Sequence, residues 1–157
     1  MSADLGFLLL LPVLAAAAIS DLRALRIPNL LSLIALALFA LLAPFLPLDE
    51  LAMRALIAGL CFAMCFALFA LNMVGGGDAK LLPVMLLFVP ARDLSAFMLA
   101  LSLGMMLSLA AVMALQARPA AAGSRYRGIS ARGRFPMALA FLLAGLGEAG
   151  LILSRLA

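Results

Sequence analysis

Apolar residues run along this chain in long uninterrupted stretches, with the charged residues gathered between them. The runs are Leu5 to Ile19, Leu30 to Leu48, Ala55 to Val74, Leu94 to Ala117 and Phe135 to Ser154, with Glu148 near the far end of the last. Between the third and the fifth lies a shorter one, Leu81 to Ala91, bounded by Lys80 and Arg92. A helix crossing a bilayer takes about 20 mostly apolar residues, so each long run predicts a membrane helix. The short fourth must borrow flanking residues or turn back.

Charge placement decides between those two. Lys and Arg accumulate in cytoplasmic loops. With six spans and the amino terminus outside, the inner loops hold Arg23, Arg26, Lys80, Arg118, Arg125, Arg127, Arg132 and Arg134, against Arg54, Arg92 and Arg155 outside. If Leu81 to Ala91 dipped in and returned, the richest basic loop would face outward. The expected fold is therefore all-α: a polytopic membrane protein with six transmembrane helices, the fourth short and both termini outside, forming one integral membrane domain over residues 1–157. Leu5 to Leu14 followed by four alanines has the outline of a signal peptide, but Asp4 and the lack of Lys or Arg ahead of it argue for a retained helix. The stretch from Gln116 to Arg134, rich in Ala, Gly and Arg, is expected to be a mobile loop.

Composition agrees and narrows the chemistry. A hydrophobic share of 68% against 11% charged residues departs from the roughly 45–50% and about 25% of soluble domains. There is no His and no Trp, so an imidazole base, a His-ligated metal and a Ser-His or Cys-His relay are all excluded. No cofactor is implied. Proton transfer falls to seven acids and the single lysine, Lys80. Cys61 and Cys65, one helical turn apart in an apolar run, read as packing residues. The net charge of +4 comes largely from the basic loop, which has little aromatic interleaving and faces the membrane surface rather than a nucleic acid.

Two acids share one side of the membrane in this topology. Asp21 directly follows the first helix in Ser20-Asp21-Leu22-Arg23-Ala24-Leu25-Arg26-Ile27-Pro28-Asn29, where Pro28 disfavours helix at Ile27 and Asn29 can cap the next helix. Asp78 opens the short helix in Gly75-Gly76-Gly77-Asp78-Ala79-Lys80. Three glycines at a helix junction lower helix stability by about 1 kcal/mol each; they permit positive φ and close backbone approach, so that an extended substrate could lie against them. Charged groups in membrane segments are costly and are functional candidates by default. Two carboxylates within hydrogen-bonding distance share a proton and can act as base and acid on water and a carbonyl. Asp4, Asp49, Glu50, Asp93 and Glu148 fall on the outer side. As bland readings, Asp21 pairs with Arg23 or Arg26, and Asp78 caps a flexible connector.

Asp21 with Arg23, Arg26 and Ile27-Pro28-Asn29, together with Gly75-Gly76-Gly77-Asp78-Ala79-Lys80-Leu81, resembles the prepilin peptidases, the bacterial GxGD aspartic proteases. The resemblance implies Asp21 and Asp78 as the catalytic pair, supported by Gly75, Gly76, Gly77, Lys80, Arg23, Arg26, Pro28 and Asn29. It implies removal of the short basic leader of type IV prepilins or pseudopilins at the cytoplasmic face of the bacterial inner membrane, without metal. Where the family carries a Pro-aromatic-Gly segment, this chain has Phe135-Pro136-Met137-Ala138. The first cytoplasmic loop lacks the paired zinc-binding cysteines of larger relatives, which speaks against their N-methyltransferase activity. The chain looks like the minimal type associated with Flp or tight-adherence pili. A small proton-coupled transporter and a noncatalytic secretion-assembly subunit, its helices packed through Gly59, Gly104 and Gly145, are the competing readings.

Overall fold

The computed structural model describes residues 5–118, 125–130 and 135–156. Part of the expected mobile loop, including Arg132 and Arg134, and the segment around Asp4 lie outside the described residues. Among the described residues every regular element is helical. In chain order they are α1 (Leu5–Leu8), α2 (Leu11–Ala24), α3 (Asn29–Leu42), α4 (Leu48–Ala70), α5 (Asp78–Leu87), α6 (Leu94–Gln116), α7 (Arg127–Ser130) and α8 (Ala138–Leu156). Four stretches are long and apolar enough to cross a membrane: Gly6–Ala24, Leu48–Ala70, Ala91–Gln116 and Ala138–Arg155. The apolar helix Asn29–Phe45 is shorter.

Prolines set several of the boundaries. Pro12 sits in the first turn of α2, and Pro44 follows the end of α3 in a 3-10 turn over Ala43–Phe45. Pro47 precedes α4, and Pro90 precedes the 3-10 turn Ala91–Asp93. Pro lacks an N–H and fixes φ, so it starts helices easily and continues them poorly. The first helix outlasts its apolar run: α2 continues to Ala24, which places Asp21 inside its last turn rather than after it. Leu22 and Ala24 favour helix, and the chain turns only where Leu25 adopts a left-handed φ of 52°.

The helices are packed on α8 and α5. α8 lies against α6 and α2, while α5 is held by α4 and α3. Gly104 on α6 permits one close approach, since a Cβ there would come within 3.0 Å of the Ala140 carbonyl oxygen on α8. Phe7, Leu14, Leu81, Met85, Phe88, Phe97 and Phe141 fill the core, with Phe7 edge-on to Phe97 and Phe39 edge-on to Phe88. Outward faces of α4 and α6 expose Leu60, Phe62, Met64, Phe66, Leu103, Met106 and Leu107. Such a belt, costly in water, suits hydrocarbon. Gly59, unlike Gly104 and Gly145, is not a packing glycine: a Cβ on it would meet nothing within 4 Å.

Charge is segregated to the two ends of α5. At its carboxyl end the buried Arg54 guanidinium donates to the Leu87 and Phe88 carbonyls, at 3.2 and 3.0 Å, and pairs with Glu50 at 2.5 Å. These carbonyls are among the four that a helix end leaves unpaired. Close to that end, Asp93 receives both terminal nitrogens of Arg155, at 2.8 and 2.7 Å. Glu148, near the far end of its apolar run, is fully buried close to the middle of α8, which runs on to Leu156.

Candidate functional site

At the amino end of α5 the two motifs meet. Asp21 is buried, and its Oδ2 accepts a hydrogen bond of 3.1 Å from the backbone N–H of Ala138, the first residue of α8. A helix start presents unpaired N–H groups, so the amino end of α8 orients this carboxyl. The turn behind it is closed twice. Leu25 N–H donates to the Asp21 carbonyl at 2.7 Å, and Ser20 Oγ donates to the Arg26 carbonyl at 2.9 Å. The short α7 lies on the same turn. A Cβ on Gly128 would stand 3.0 Å from the Leu22 carbonyl oxygen, and the Gln116 amide holds the Gly128 carbonyl at 2.9 Å.

Asp78 is the first residue of α5, as its position after the glycines suggests. The glycines act through space rather than through positive φ. None of Gly75, Gly76 and Gly77 is left-handed, and Gly77 has helical angles of −71° and −46°. A Cβ on Gly77 would stand 2.8 Å from the Ile27 Cβ and 3.2 Å from the Ile27 carbonyl oxygen. One on Gly75 would come within 2.7 Å of the Asp78 Oδ2. The missing side chains thus let the second motif rest directly on the first. Lys80 adds a second tie, donating from Nζ to the Asn29 Oδ1 at 3.1 Å. Asn29 therefore does not cap its helix with its side chain; Pro28 occupies the cap position of α3 without a side-chain bond, and the amide is spent on Lys80.

Asp78 is half-buried at the start of α5, and its Oδ1 is buried without a hydrogen-bond partner among the described residues.

Of the remaining residues singled out in the sequence, Arg23, Arg26 and Pro28 are exposed. Neither arginine pairs with Asp21, so the bland ion-pair reading of that acid does not hold. The residues that sequence reasoning missed are Ala138, which contributes a backbone amide, and Gly128. Pro136, buried two residues before Ala138, was the one trace of that region in the sequence. Among the described residues no group of three His, Cys, Asp or Glu could hold a metal ion.

A bundle of apolar helices with four stretches long enough to cross a bilayer defines a multi-pass membrane protein, in which two acid-bearing motifs meet at the amino end of α5. Over residues 8–115, more than two thirds of its length, the chain matches the type IV leader peptidase family, and it belongs to that family. The matched stretch includes both Asp21 and Asp78 and ends before α8. No curated protein and no solved structure matches the chain at a significant level.

Proposed function

We propose that this leader peptidase is an aspartic endopeptidase working through Asp21 and Asp78, and that it removes the basic leader of type IV prepilins or pseudopilins. The observation that carries this reading is the contact of the two motifs at Gly77 and Ile27, which gives two carboxyls one environment. Asp21, held by the Ala138 amide, is the base. It takes a proton from water as the water oxygen attacks the scissile carbonyl. Asp78, protonated, donates to that carbonyl oxygen. The tetrahedral intermediate collapses as Asp21 passes the proton it took from water to the leaving amine and Asp78 takes back the proton it gave to the oxygen, and the C–N bond breaks. Neither a metal nor a covalent intermediate enters.

The topology that goes with this reading has six spans in a bacterial inner membrane, with α5 as the short fourth and the site at the cytoplasmic face. Residues 1–157 act as one domain, of the minimal kind associated with Flp-type pili and without N-methyltransferase activity. The basic loop supports that orientation. Two measurements test the proposal. Purified protein in liposomes should shorten a prepilin-type substrate by its leader, with the new amino terminus read by mass spectrometry. A cysteine replacing Tyr126 should be shielded from an impermeant thiol reagent outside intact cells. An uncut substrate would refute the activity, and ready labelling would refute the orientation.

A further inference from the structure

One buried charge has no part in the mechanism above. Arg54, on α4, is only 2% exposed, and a charge taken out of water is costly to hold. Its guanidinium forks between two helices. Nε and one terminal nitrogen bond to Glu50, one turn back on the same helix, at 3.2 and 2.5 Å. The other terminal nitrogen donates to the Leu87 and Phe88 carbonyls at the carboxyl end of α5, at 3.2 and 3.0 Å. The helix held in this way is a weak one. α5 has ten residues, about 15 Å, and helices this short are marginal by themselves. Three glycines precede it, and Pro83 inside it cannot donate to the Ala79 carbonyl. Its buried residues, among them Leu81, Met85 and Leu86, are apolar. Apolar contact is non-directional, so it holds α5 to its neighbours without fixing a point along its axis. At the amino end the side-chain tie from Lys80 to Asn29 is exposed.

We propose that Arg54 is a positioning residue for Asp78: by fastening the carboxyl end of α5 to α4, it sets the place of the carboxyl carried at the other end of that helix. The proposal rests on the peptidase reading above. Hydrogen bonds from a charged donor are directional and stronger than neutral ones. Glu50, in the first turn of α4, holds the guanidinium from its other side, so one rigid planar group ties the two helices together. With the bonds to Leu87 and Phe88 removed, α5 is free to slide or turn against α4 and α3. Asp78, its first residue, moves with it. Asp21 stays where it is, because the Ala138 amide and the turn at Leu25 hold it independently of α5. The separation of the two carboxyls therefore changes, while the outer surface of the protein does not. Such a change lowers kcat and leaves KM alone.

Three variants test this in liposomes with a prepilin-type substrate, initial rates over a range of substrate densities separating kcat from KM. Arg54→Met combined with Glu50→Met removes both charges together, a change that often leaves a fold as stable as before. Arg54→Lys keeps the charge but replaces the fork with a single point donor. Arg92→Gln removes an exposed cation close to the same end of the bundle and is the control. The double variant should lose about thirtyfold or more in kcat with KM within about twofold of wild type, since a misplacement of about 1 Å costs about 100-fold. Arg54→Lys should fall between, losing about three- to tenfold, and Arg92→Gln should match wild type. A wild-type kcat in the inserted double variant overturns the proposal, as does a loss confined to KM or one that Arg92→Gln shares. Should the double variant fail to insert, Arg54→Lys decides, and an unchanged kcat there overturns the proposal as well. Failure of the wild type to cut would instead count against the peptidase reading.

Discussion

Asparagine in place of either Asp21 or Asp78 should abolish leader removal while the protein remains inserted. A positioned acid or base contributes about 100- to 10,000-fold to a rate, and the two groups act as a unit, so each single change should cost nearly what the pair is worth. Asn at position 21 can still accept the Ala138 amide through its carbonyl oxygen, so geometry is kept while the base is lost. Asn at position 78 can still donate to a carbonyl but has no proton to pass on. The measurement is conversion of a co-expressed prepilin on a denaturing gel, with the variant's abundance in the membrane fraction followed in parallel. Full processing by either variant would remove the two-aspartate mechanism.

The second large effect belongs to a residue with no functional group. Gly77→Val should leave both carboxyls in place chemically and yet lower the cleavage rate about 100-fold, the order of loss expected when reacting groups are misplaced by about 1 Å. The branched side chain would strike the Ile27 backbone and Cβ, which belong to the turn after Asp21, and push the two motifs apart. Gly76→Ala is the useful comparison. Its Cβ would meet the edge of the Phe69 ring at 3.0 Å, a side chain that can swing aside, so its loss should be smaller by at least tenfold. Equal activity in the two variants would show that the approach of Gly77 to Ile27 does not set the geometry of the site.

Much of this arrangement could be read before the structure, for a physical reason. In hydrocarbon every backbone polar group must be satisfied within its own segment, so a long apolar run is a helix almost by necessity. α4, α6 and α8 follow their runs within a few residues or one extra turn or two. Asp78 begins α5 as its sequence predicts, since glycine followed by an acid is a local signal for a helix start. What stayed hidden was set by tertiary contacts. The apolar run stops at Ile19 and so places Asp21 beyond its helix, whereas α2 continues into polar residues and ends at Ala24. Glu148 lies near the far end of its apolar run, and nothing in that position foretells that α8 buries it in the core. The glycines are expected to allow positive φ and the close approach of a substrate, whereas Gly77 leaves room for Ile27 of the chain itself. The Ala138 amide was the hardest to foresee, since a backbone donor leaves no trace in the identity of its residue.

That amide has a consequence for how the protein is made. It reaches Asp21 from 117 residues further along the chain, so during synthesis both aspartates are in place well before the group that orients one of them. A ribosome-bound intermediate lacking α8 would carry the two acids in an unfinished arrangement. On the proposed mechanism the base would be oriented, and cleavage begin, only once the final helix has packed against α2.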